Sequence, residues 1–97
     1  MSISLLSGAG AGVISPAVDV RPVVRDCEPL NFVGVGTFDH AITIEGSPTT
    51  HGTDWITLGT LAAPNATLTV SVPWERVRAK THASEGGLAT VYLIPDA

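Results

Sequence analysis

Apolar and polar residues alternate with a period of two over several short stretches of the chain, and no stretch keeps a sustained helical period. The clearest alternation runs from Thr67 to Val72: Leu68, Val70 and Val72 share one side, Thr67, Thr69 and Ser71 the other. Such a strand has one face in the core and one in water. Val77 and Ala79 likewise alternate with Arg76, Arg78 and Lys80. That predicts a strand, since a helix over 74–82 would scatter the basic residues around its cylinder. Between His40 and Leu61, Ile42 and Ile44 alternate with Ala41, Thr43 and Glu45, a polar stretch from Gly46 to Thr53 interrupts, and Trp55-Ile56-Thr57-Leu58 resumes. This predicts a β-hairpin with a long tip.

Leu30 to Gly36 reads as a strand whose glycines call for a bulge or a close backbone neighbour. Leu88 to Ile94 is apolar enough to lie centrally. Val13-Ile14 and Ala17 to Val20 are strand-like on either side of Pro16, which removes a ladder donor and so predicts an edge or a crossing between sheets. The stretch 21–29, with Pro22 and Pro29 and four charged residues, reads as a connection or an irregular edge. Seven to eight short strands with frequent turn signals predict an all-β chain: a small antiparallel β-sandwich, jelly-roll- or Ig-like, or a compact barrel.

The first residues are harder to place. Ser2 to Leu6 is a short apolar run that gives way to Ser7-Gly8-Ala9-Gly10-Ala11-Gly12, which has almost no side chain to pack. One reading makes 1–12 a flexible N-terminal arm ahead of a single domain at 13–97, with Ile3, Leu5 and Leu6 docking on a neighbouring subunit. The other makes it an edge strand followed by a loose loop.

Composition changes the picture in one respect. Of 97 residues, 44% are hydrophobic and only 14% charged, against roughly 25% charged in an average soluble domain. Too few charges remain to cover the outside, which predicts contact with a partner or with further copies of the chain. A net charge of −4 argues against a general nucleic-acid binder. Cys27 is the only cysteine, so no intrachain disulfide and no cysteine-rich zinc site can form. The opening residues lack a basic region followed by a sustained apolar run, and no apolar run is long enough to span a membrane as a helix. Asn65-Ala66-Thr67 matches a glycosylation acceptor but reads as a turn.

No catalytic constellation emerges. His40, His51 and His82, with Asp39 and Asp54, are the metal or acid-base suspects, yet their spacings match no ligand motif. Asp54 reads as a turn cap. No serine sits in a nucleophile elbow, Cys27 lies between two acidic residues that blunt it, and no glycine-rich stretch leads into a helix that could bind phosphate. No enzyme activity, metal or cofactor is expected. Arg76, Arg78 and Lys80 form a row that is either a solvated face or a dock for an acidic surface, like charges so placed being easier to keep if something neutralises them. Trp55 and Trp74 are either core anchors or, at Trp55 with the His51 tip, a recognition surface.

Two segments, ITIEGS…GTDWITLGTL in the hairpin and VPWERVRAKT…GGLATVYL toward the end, resemble small β-sandwich proteins of tailed-phage virions. The matching parts run from Ala41 to Ile94, a little over half of the chain. The resemblance implies a non-enzymatic virion protein assembled in the host cytoplasm: a capsid decoration or cement protein bridging subunits of the major capsid protein, and itself a homo-oligomer. The alternatives it leaves are a head-tail junction or tail component, or a carbohydrate- or receptor-binding module of a fibre.

Overall fold

The computed structural model describes residues 3–19, 30–49, 53–70 and 74–95. Within them lie eight strands: β1 Ile3–Ala9, β2 Val18–Asp19, β3 Leu30–Gly36, β4 Ile42–Ser47, β5 Ile56–Leu61, β6 Thr67–Val70, β7 Arg76–Lys80 and β8 Ala89–Pro95. They form two four-stranded antiparallel sheets, ordered β1-β8-β3-β6 and β2-β7-β4-β5. Strand one pairs with eight, two with seven, three with six and four with five. That is a single long antiparallel ribbon rolled onto itself, the jelly-roll form of the sandwich. Only β4 and β5 are consecutive partners, and they are the hairpin read from the sequence.

The core lies between the sheets. Phe32, Leu93, Val91 and Leu30 from one sheet meet Ile42, Ile44, Val77 and Ala79 from the other, all fully or almost fully buried. Phe38 and Leu61 close one end, while Trp74 and Leu58 pack against the cluster. The alternation of β7 holds: Val77 and Ala79 point in, and the basic residues point out. So does that of β6 as far as Val70; Val72 lies outside the described residues. β3 carries no bulge. Gly34 instead leaves room for its neighbours, since a Cβ there would come within 3.1 Å of Leu61 and 3.3 Å of the Phe38 ring.

The N-terminal expectation of a flexible arm over 1–12 is corrected from Ile3 onward. Ile3–Ala9 is the edge strand β1, paired to β8 from Ile3 opposite Leu93 to Ala9 opposite Ala89. Leu5 and Leu6 are buried in this chain's own core and Ile3 packs against it, so the two leucines do not dock on a neighbour. Two register shifts explain why no alternation announced the strand. Ser4 faces Tyr92 and Leu6 faces Val91, so Leu5 is an extra residue and consecutive leucines both reach the interior. A second shift between Leu6 and Ala9 contains Gly8 at φ 60°.

The Gly/Ala stretch is also held, through its backbone. The Thr81 hydroxyl donates to Gly10 O (2.7 Å) and accepts from Val13 N–H (2.8 Å), and Gly12 N–H donates to His82 O (3.0 Å). The chain then runs along β7 as the sheet edge that Pro16 predicted. Ile14 bridges Lys80, Ser15 N–H donates to Ala79 O (2.8 Å), and the Ser15 hydroxyl accepts Ala79 N–H (2.8 Å) where the strand pairing lapses. A side chain thus satisfies a donor the interrupted ladder leaves open. Stretch 21–29, with Cys27, lies outside the described residues.

Candidate functional site

Three places on the surface collect chemistry. The first is the outer face of the β2-β7-β4-β5 sheet. Thr43, Glu45 and Ser47 face Lys80, Arg78 and Arg76 across the β4–β7 ladder. Arg78 Nε donates to Glu45 Oε1 at 2.7 Å, and Lys80 Nζ stands 3.9 Å from Glu45 Oε2. Arg76 Nε donates to Thr49 O (2.9 Å), tying β7 to the hairpin tip. The Trp55 indole lies across both guanidinium groups, 4.1 Å from Arg78 and 4.9 Å from Arg76. Both distances are within cation–π range. Glu45 thus offsets one positive charge of the row, directly at Arg78, and Trp55 lies over both guanidinium groups, which eases the repulsion of three like charges in line.

The second place is the end of the sandwich where the β3–β4 and β7–β8 connections meet. Glu85, an acidic residue buried to 6% exposure, accepts Asp39 N–H (2.7 Å) and Gly87 N–H (2.9 Å) on Oε2 and His40 N–H (3.0 Å) on Oε1. Asp39 Oδ1 accepts Gly86 N–H (3.0 Å) and lies 2.7 Å from His40 Nδ1. The Gly86 N–H most of all, then the neighbouring Glu85 carboxyl and the His40 ring, hold the Asp39 carboxyl well below its ordinary value of 3.8. The His40 ring stacks on His82, centroids 4.6 Å apart and 20° from parallel. His82 Nδ1 accepts Ser84 N–H (2.9 Å), so its ring proton sits on Nε2.

The sequence suspects His40, His82 and Asp39 do converge here. Asp54 does not join them, and His51 lies outside the described residues. Ligand atoms of Asp39, His40 and Glu85 lie within 4.8 Å of one another, but every one of these side chains is already engaged in holding the two connections together. Reasoning from sequence missed Glu85. Its partners are 45 and 46 residues away, and no spacing rule points to it.

The third place is the outer face of the β1-β8-β3-β6 sheet. None of its strands carries an Asp, Glu, Lys or Arg. Asn31, Val33 and Val35 lie opposite Ile94, Tyr92 and Thr90 along β3 and β8. Tyr92 is 36% and Ile94 39% exposed, large values for such residues on the two central strands of a sheet. All described strand charges, Asp19, Glu45, Arg76, Arg78 and Lys80, belong to the other sheet.

No protein-family model, no curated protein and no solved structure matches the chain.

Proposed function

We propose that the chain is a non-enzymatic structural protein of a tailed-phage particle, a capsid decoration or cement protein that stabilises the head by bridging subunits of the major capsid protein. The observation that carries this reading is the charge-free outer face of the β1-β8-β3-β6 sheet. The sandwich measures 38 × 28 Å across its two longer axes, enough for the roughly 800 Å2 per partner of a standard protein interface. A face with apolar residues at its centre and no charge docks on protein by burial. The jelly-roll order adds a likeness of architecture, since viral capsid and lectin domains use it. The hairpin and closing strands that resemble phage sandwich proteins supply the particle.

On this reading the mechanism is area buried many times over: each contact is weak, and repetition across the lattice multiplies it. The basic row plays little part on this reading: Glu45 offsets its middle charge, and Trp55 lies over both guanidinium groups. A glycan-binding role would draw on Trp55, and two guanidinium groups lie against that indole.

Purified chain added to capsids stripped of decoration should bind, and should raise the temperature at which they rupture, with little change from low to high salt. Val33→Lys and Tyr92→Lys should abolish binding while the circular-dichroism spectrum stays that of the parent. Binding to a specific glycan that vanishes in Trp55→Ala, with no binding to capsids, would overturn the reading.

A further inference from the structure

Where the chain hooks onto β7 it leaves a cavity of about 320 Å3 lined by Gly12, Ile14, Thr43, Lys80, Thr81, His82 and Ala83. That volume is within the range of small-molecule sites, at its lower end. The construction is specific. Ile14 is pinned as a bridge to Lys80 yet remains 52% exposed, so it stands as an apolar wall open to solvent over half its surface. Ala83 and Gly12 continue that wall.

The polar side chains of the lining are Lys80, His82, Thr81 and Thr43, the last a hydroxyl that can donate or accept. Among the described residues, the Lys80 ammonium has only Glu45 beside it, at 3.9 Å, beyond hydrogen-bond reach. Glu45 spends its shorter contact on Arg78. The His82 proton is on Nε2, because Nδ1 accepts Ser84 N–H. The Thr81 hydroxyl is consumed by Gly10 and Val13. No carboxylate belongs to the lining.

From this arrangement we infer that the cavity binds a small monocarboxylate with a short apolar body, its carboxylate on Lys80 and His82 and its body against Ile14 and Ala83. One ammonium and one imidazole N–H match a single negative charge. A phosphate, with up to two charges and more oxygens to satisfy, asks for an arginine fork or a nest of backbone N–H groups, and neither lines the cavity. The apolar wall selects against acids that carry polar groups along their length. The site is independent of the role in a particle, and its test needs only the purified chain.

Titration of the 15N-labelled chain with hexanoate, followed by two-dimensional NMR, should move the amide signals of Gly12, Ile14, Thr43 and 80–83 and leave those of β3 and β8 in place. Affinity should fall roughly fourfold for each methylene removed from hexanoate toward butyrate. Hexanol, matched in body but without charge, should bind at least tenfold more weakly. Lys80→Gln should remove the binding with the rest of the spectrum unchanged. Ile14→Ser, an exposed position, should weaken it without touching the charge. Absence of shifts at these residues, equal binding of hexanol, or full binding in Lys80→Gln would each overturn the inference.

Discussion

Glu45 and Arg78 face each other across β4 and β7 with Oε1 and Nε 2.7 Å apart, their side chains only 10% and 23% exposed. A charge this shielded depends on its partner more than a surface pair does. Glu45→Gln should therefore lower stability by about 1–2 kcal/mol, read from the urea midpoint. It should also remove the one carboxylate that offsets the row, so the variant should elute from a sulfonate cation exchanger at higher salt than the parent. Unchanged elution would mean that Glu45 does not offset the charge of the row.

Leu6 sits in an edge strand, yet its side chain is 5% exposed in the central cluster. Leu6→Ala should lower stability by about 2–5 kcal/mol, the range for emptying a buried leucine site. Deleting residues 3–9 should abolish the cooperative unfolding transition, since β8 would lose a partner and the core would lose Leu5 and Leu6 together. A deletion variant that melts like the parent would restore the arm reading.

Gly36 has φ 118°, and a Cβ built on it would stand 2.5 Å from Leu88 O. The backbone must open there to admit any side chain. Gly36→Ala should lower the melting temperature by several degrees, for a loss of about 1–3 kcal/mol. Gly10→Ala, where a Cβ meets nothing within 4 Å, should leave the melting temperature nearly unchanged.

The depressed Asp39 titration sets a direction for acid stability. A carboxyl whose folded value lies below its ordinary 3.8 contributes stability that is present above that value and is lost as pH falls below it toward the folded value. Stability followed by urea titration from neutral pH downward should thus show an acid limb below about pH 4. In Asp39→Asn that limb should be shallower, because the group that loses its charge is gone. An identical limb in both proteins would assign acid sensitivity elsewhere.

Period-two patterning made the strands β4, β5, β6 and β7 legible because each keeps an inner and an outer face without interruption or with a single irregularity, and β8 was legible from its apolar run. β1 was not legible for the same physical reason reversed. Leu5 and Leu6 are neighbours in sequence and both buried, which only a bulge permits, and a bulge leaves no trace in a hydropathy pattern. Pro16 marked an edge correctly, while the serine before it, which completes the ladder, gave no sign. The basic row was visible, but not its answer: Glu45 lies 33 residues before Arg78 and meets it only through the β4–β7 pairing. The stack of His40 on His82 and the burial of Glu85 likewise belong to the topology, which brings two distant connections to one end of the sandwich.

The pairing of β1 with β8 has a kinetic meaning as well. Among the described residues β1 has its ladder partner in β8, about eighty residues further along the chain, so no fragment that lacks β8 can close the sheet that carries Phe32 and Leu93. Nearly the whole chain must be looped before that contact repays the entropy of looping it. Folding on the millisecond-to-second scale of high-contact-order β domains is the consequence. During that interval the uncharged strands are exposed to other chains emerging beside them.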